Sequence, residues 1–160
     1  MKKRIVFFSL VVALTLSACS SNNEKLTEDS DVRASETIKQ QRFDTKRANM
    51  LEITPKNLKA VTNGSNEENV ILTIELLIKN TDSVENGAGA YDFVLKSGGK
   101  ELSPYSEANN FGDNIAAGKE MTGKVSFEVP KNSKELELVY KVSDKKLASW
   151  KLNLQGENTK

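Results

Sequence analysis

From Val70 to Ile78 apolar side chains recur at every second position. Val70, Leu72, Ile74, Leu76 and Ile78 share one face, while Thr73, Glu75 and Lys79 fall on the other. A period of two is the signature of a strand buried on one side, because successive side chains point to opposite faces of a sheet. The same alternation returns at Tyr91, Phe93 and Leu95, and at Met121, Val125, Phe127 and Val129. It continues at Leu136, Leu138, Tyr140 and Val142, and at Ala148, Trp150, Leu152 and Leu154. Met50–Thr54, Leu58–Thr62 and Glu101–Tyr105 are shorter strand candidates. Turn-forming residues separate these runs: Asn63-Gly64-Ser65-Asn66, Asn80-Thr81-Asp82, Ser97-Gly98-Gly99-Lys100, Ala117-Gly118-Lys119, Pro130-Lys131-Asn132 and Ser143-Asp144-Lys145. After residue 50 no long amphipathic helix is predicted. About seven short strands with a turn between each pair predict an all-β fold, an antiparallel β-sandwich.

The first part of the chain obeys other rules. Lys2, Lys3 and Arg4 precede the apolar run Ile5–Leu16, and Leu16-Ser17-Ala18-Cys19 closes it. A run of about a dozen apolar residues is too short to span a bilayer, which needs about 20, but it has the length of a secretory leader. The Leu-Ser-Ala-Cys ending resembles a bacterial lipobox. In that motif the cysteine carries a diacylglyceryl group and the leader is cut just before it, here between Ala18 and Cys19. An ordinary leader cut after Ala18 would instead leave a free thiol. Two acyl chains suffice for stable anchoring, since each buried methylene is worth about 0.8 kcal/mol. The expected address is the extracytoplasmic face of the cell membrane.

Ser20–Lys46 is polar and mixed in charge, with too few apolar residues to offset its ordering entropy, and reads as a flexible tether. Within it Ser35–Arg42 has some helical character, with sparse apolar spacing at Ile38 and Phe43. The expected organisation is a leader over 1–18, a lipidated cysteine and tether over 19–46, and a sandwich over 47–160.

The strand and turn order carries a resemblance. Val70–Asn80 ends in the corner Lys79-Asn80-Thr81, and is followed by Tyr91–Tyr105, Ile115–Val129 and Leu136–Tyr140 after Pro130. This order resembles the immunoglobulin-like domain-of-unknown-function family number 4352, over about Met50 to Leu154. The family occurs in extracytoplasmic bacterial proteins and is related in fold to a secreted mycobacterial immunoprotective antigen. The resemblance implies an immunoglobulin-like sandwich. It implies no activity and no catalytic residues, because the family has no agreed function.

Composition narrows the chemistry further. The chain has no histidine and one cysteine. Histidine is the commonest general base and metal ligand, so its absence removes the usual zinc sites and the Ser-His-Asp arrangement. Lipidation would consume the only thiol. Removing the three leader cations from a formal charge of +1 leaves about −2, with acids and bases interleaved. No basic stripe is present to neutralise phosphates, so nucleic acid is not an expected partner.

The remaining motifs read as structural. Ser97–Lys100 and Ser143–Lys146 each spell Ser-x-x-Lys, but both fall in expected turns, where a lysine cannot be set against a serine beside an oxyanion hole. Gly112–Lys119 has one residue too many for a phosphate loop, and Glu120 stands where a Ser or Thr would bind Mg²⁺. Glu107, Asn109, Asn110, Asp113 and Asn114 are rich in oxygen but match no calcium-loop spacing. Trp150, Phe127, Tyr140 and Phe93 lie on apolar strand faces and are expected in the core.

No catalytic residue, metal ligand or cofactor is therefore expected, and the chain is not read as an enzyme. The expected function is a membrane-anchored lipoprotein with a non-enzymatic interaction domain, its partner an envelope protein or the cell wall. Loops Asn63–Asn69, Thr81–Ala90 and Ser103–Ala117 are the candidate contact surfaces, with Tyr105, Asn109, Asn110 and Phe111 as the candidate interaction residues. The alternative is a small-ligand or metal-binding lipoprotein of the cell envelope, which would need a concave site with convergent polar groups.

Overall fold

A computed structural model describes residues 35–37 and 41–154. The expected leader, Cys19 and most of the expected tether lie outside the described residues. Eleven strands are present among those described: β1 Ser35–Thr37, β2 Lys46–Ala48, β3 Leu51–Asn63, β4 Asn66–Asn80, β5 Asn86–Gly89, β6 Phe93–Ser97, β7 Lys100–Leu102, β8 Gly112–Ile115, β9 Glu120–Pro130, β10 Leu136–Val142 and β11 Lys145–Leu152. A single 3₁₀ turn, Ala90–Asp92, precedes β6.

All strand pairs are antiparallel. One sheet has the order β1-β3-β4-β9, with β2 also pairing β3. The other has the order β11-β10-β6-β7, and β5 and β8 form a separate ribbon. The two larger sheets face each other as the predicted β-sandwich. Leu72, Ile74, Leu76 and Ile78 are fully buried on β4, as are Val125, Phe127 and Val129 on β9. Phe93, Leu95, Leu138, Tyr140 and Trp150 close the core from the opposite sheet. Phe93 and Tyr140 meet with ring centroids 5.1 Å apart and planes tilted by 44°, a favourable geometry for aromatic quadrupoles.

The candidates Met50–Thr54 and Leu58–Thr62 are halves of one strand, β3. Its register against β4 shifts between Pro55 and Leu58. Proline lacks a ladder donor and is tolerated at such a bulge. The extra residue reverses the facing, so Ile53 and Leu58 are both buried although an odd number of positions separates them. The candidate Glu101–Tyr105 shortens to β7, and the last strand ends at Leu152.

The outer face of the second sheet is clad in charge. Lys141 donates to Glu101 at 3.0 Å and Lys146 to Glu137 at 2.6 Å. These bonds hold both carboxyls below the usual range. Exposed pairs of this kind are screened by solvent and contribute little to stability. Val139 is nonetheless fully buried on that outward side.

The chain joins the sandwich before the expected boundary at Lys46. Ser35–Thr37 is a strand, not a helix, and pairs with Lys59–Val61. Gln41 Nε2 donates to the Lys151 carbonyl, and Asn153 N–H donates to Gln41 Oε1. The Trp150 indole Nε1 donates to the Asp44 carbonyl at 2.8 Å, and Phe43 packs against the core. Gln41–Lys46 therefore runs along the β11 edge and then enters the other sheet as β2. An uncovered sheet edge would offer unpaired N–H and C=O groups to other chains, and this segment covers one.

Two predictions follow from this packing. Ile74→Ala, Phe127→Ala and Trp150→Ala should each cost about 2 to 5 kcal/mol in denaturant unfolding. Lys151→Ala should cost almost nothing, and Thr73→Ala about 1 kcal/mol for its hydrogen bond to Ser126. A chain beginning at Arg47 should melt at least about 4 °C below the mature chain, the shift that about 1 kcal/mol gives a domain of this size. An unchanged midpoint would show that residues 35–46 contribute nothing to the fold.

Candidate interaction surface

Asn80 ends β4 and is fully buried, so its polar side chain must be satisfied internally. Its Nδ2 donates to the carbonyls of Val84 and Ile115, both at 2.8 Å, and its Oδ1 accepts from Asp82 N–H at 2.8 Å. Its backbone N–H donates to the Lys119 carbonyl at 2.8 Å. One residue thus fixes the loop after β4, the end of β8 and the turn before β9.

The neighbouring β2–β3 turn is tied to the same structure. Asn49 and Met50 are its two central residues, with φ of 50° and 58°. Two left-handed residues in succession define the type I′ turn whose twist suits a two-residue hairpin. Asn tolerates that region well and Met poorly, at a cost of about 1 to 3 kcal/mol. Other bonds hold the turn in place. Thr81 donates to the Met50 carbonyl through both N–H and Oγ1 at 2.8 Å, and Asn86 Nδ2 donates to the Asn49 carbonyl at 2.8 Å. Burial pushes the Tyr140 hydroxyl above its ordinary pKa, a hydrogen bond with the Asn49 side chain opposes that, and the Asp92 charge adds to the rise. The second I′ turn, Ser143-Asp144 with φ of 48° and 62°, joins β10 to β11 at the same end.

Met50, Val84 and Tyr91 are the large hydrophobic residues left exposed among those described, at 63%, 61% and 72%. All three stand on this end. Tyr91 departs from the alternation that placed it with Phe93, because Ala90–Asp92 forms a 3₁₀ turn that rotates it outward. The turn is held by Asp92, whose Oδ2 accepts from Gly89 N–H at 2.8 Å.

The four residues predicted for an interaction loop have another arrangement. Tyr105 N–H donates to the Ser126 carbonyl and Phe111 N–H to the Lys124 carbonyl. Ser126 N–H donates to Asn110 Oδ1, and Asn110 Nδ2 donates to the Tyr105 carbonyl. Residues 105–111 therefore satisfy the free edge of β9. The Phe111 ring lies over Gly123, where a Cβ would stand 2.5 Å from it, and 6.2 Å from the Phe93 ring. The Tyr105 hydroxyl donates to Glu107 at 2.7 Å, which raises its pKa together with partial burial. Asn109 alone of the four is exposed. Loop 63–69 shrinks to the tight turn Gly64-Ser65, because β4 begins at Asn66.

At the other end of the sandwich an open groove of about 580 Å³ lies beside the Gly98-Gly99 turn. Lys96, Lys134 and Lys151 line it with Glu135 and Glu137, above Leu136 and Leu152. Gly98 and Gly99 have φ of 55° and 80°, so the Ser97–Lys100 motif is a hairpin turn, with the Ser97 hydroxyl against that of Ser133. Among the described residues no three His, Cys, Asp or Glu side chains are grouped to hold a metal, and no helix is long and apolar enough to cross a membrane.

Residues 37–148 match the family described as "Domain of unknown function (DUF4352)", and the chain belongs to that family. Three solved structures share the fold. A candidate lipoprotein (ycdA) from Bacillus subtilis is 22% identical with a TM-score of 0.54, over 74% of this chain and 39% of its own, so this chain spans well under half of that protein. A functionally unknown protein from Listeria monocytogenes is 14% identical with a TM-score of 0.57, over 78% and 89% of the two chains. The yjhA protein of B. subtilis is 18% identical with a TM-score of 0.50, over 70% and 96%. No curated protein matches this chain.

Asn80→Ala would leave two carbonyls and one N–H without their partner, each loss costing about 1 to 3 kcal/mol. The variant should melt well below the parent, and amide exchange should rise first at 81–85 and 115–119. Uniform exchange across the domain would show that Asn80 does not organise this end.

Proposed function

We propose that this protein is a lipoprotein, anchored through Cys19 to the extracytoplasmic face of the cell membrane, whose β-sandwich is a non-enzymatic interaction domain. The observation that carries the reading is the charged and apolar leader ending in Leu16-Ser17-Ala18-Cys19, joined to a DUF4352 sandwich. The candidate lipoprotein of B. subtilis with a similar fold supports the same address. The Asn80 and Asn110 side chains are spent on backbone carbonyls and amides, which supports recognition by surface over catalysis by convergent groups. The partner is an envelope protein or the cell wall.

A second reading, a small-ligand lipoprotein, draws on the lysine-lined groove beside Gly98-Gly99. A reproducible rise in melting temperature with cell-wall fragments, lost in Lys134→Ala, would favour it.

Cys19→Ala should move the protein from the membrane fraction to precursor or medium, and the parent's intact mass should carry the diacylglyceryl group. Membrane retention by Cys19→Ala with no change in mass would overturn the anchor.

A further inference from the structure

The largest exposed apolar side chains among the described residues gather at one end of the sandwich, on three different segments. Met50 is on the β2–β3 turn, Val84 on the loop after β4 and Tyr91 on the 3₁₀ turn. Sandwich loops normally scatter such residues singly. Here they are also fixed before any partner arrives. The Met50 carbonyl takes two bonds from Thr81, and the Val84 carbonyl takes one from buried Asn80. The turn of Tyr91 is clamped by Asp92. Loops already held in one conformation lose little entropy on binding, so their apolar contacts convert into affinity. Tyrosine is over-represented among the residues that dominate interface energies, and methionine is enriched at interfaces.

Charge selects the kind of partner. Asp82, Glu85, Asp92, Asp113 and Asp144 surround this end. Lys79, Lys119 and Lys145 are the opposing exposed cations, with Glu120 a further acid opposite Lys79, since Arg47 is paired with Glu52 and Lys141 with Glu101 and Asp144. An acidic rim repels an anionic bilayer or an anionic wall polymer and attracts a cationic surface. The first described strand enters the sandwich at Ser35 beside Val61, near the opposite end.

We infer that the loop end carrying Met50, Val84 and Tyr91 is a docking site for a polypeptide segment that presents apolar and basic side chains together. The inference rests on the interaction-domain reading and specifies its surface. The apolar anchors supply the central contact, and the acidic rim sets the approach and the choice of partner.

The test uses the full chain in phosphatidylcholine nanodiscs, with fluorescence anisotropy of a labelled peptide of about a dozen alternating lysines and leucines. Binding is expected in the micromolar range. Val84→Ser with Tyr91→Ser should weaken it at least about tenfold with an unchanged melting temperature, because neither side chain is part of the core. Met50→Gly should keep the fold, glycine being suited to the left-handed region, and should also weaken binding. Lys131→Ala at the opposite end should leave it unchanged. A glutamate-for-lysine peptide that binds equally well, or full affinity in the double serine variant, would overturn the proposal. So would a loss, in that variant, of binding to added phosphatidylglycerol vesicles in place of the peptide, because the surface would then be a membrane contact. Failure of the protein to enter nanodiscs would count against the Cys19 anchor alone, and peptide binding would then be measured in detergent-free buffer.

Discussion

Burying an amide side chain inside a sandwich is costly unless every polar atom finds a partner. Asn80 meets that condition with two donated bonds and one accepted bond, and the loop end depends on the result. A serine or alanine could not reach both Val84 and Ile115. A leucine would fill the volume and strand three backbone groups. The loop after β4 has few apolar contacts of its own, so a single side chain at the strand end substitutes for the core it lacks. Once that loop is fixed, Thr81 and Asn86 reach the Asn49-Met50 turn and hold it in a conformation that methionine does not favour. The strain at Met50 is sustained from outside its own hairpin.

The free edges of the sheets impose the second constraint. With Cys19 as the single cysteine of the chain, the sandwich has no intrachain disulfide to join its sheets. It manages with unequal devices. Residues 105–111 satisfy β9, and Gly123 makes room for Phe111 to seal that side of the core. The segment from Gln41 to Ala48 passes along β11 and then pairs with β3, so it touches both sheets. The bond from Trp150 to Asp44 works as a cross-link between them, weak in isolation but attached to a buried indole. An apolar count cannot detect either device, because both act through backbone groups.

That difference explains what could be read from residues alone. Strands β4, β9, β10 and β11 were legible because each is buried on one face and exposed on the other, which writes a period of two into the sequence. The fold class and family resemblance followed from those strands and the turns between them. Segments 35–37 and 41–46 were illegible as part of the domain, since the first pairs with β3 and the second docks by hydrogen bonds to the β11 edge, with Phe43 packed against the core. Tyr91 was placed wrongly because a three-residue 3₁₀ turn changes the facing without changing the alternation. Asn110 and Phe111 drew attention as polar and aromatic residues on a long loop. Their spacing gave no hint that Asn110 would serve the β9 edge or that Phe111 would fill a glycine gap. A small residue in an otherwise bulky strand, such as Gly123, was the available signal of a large partner elsewhere.

The two ends of the sandwich consequently do different things with the same kinds of residue. At the groove end, turns are glycine-rich and the side chains are mostly long and charged, an arrangement that stays soluble and demands little of its partners. At the loop end, Asn80 and Asn86 tie the turns together through side-chain bonds, while Asn49 and Gly118 take the left-handed backbone. Glycine at Asn49 would adopt the turn more easily. Rigidity is thus concentrated at the end where apolar side chains are exposed. Selection for stability alone favours the opposite arrangement, with exposed Met50, Val84 and Tyr91 replaced by polar residues and the left-handed methionine by glycine. The stability given up there is a cost that the core does not require, and the docking site proposed above would account for it.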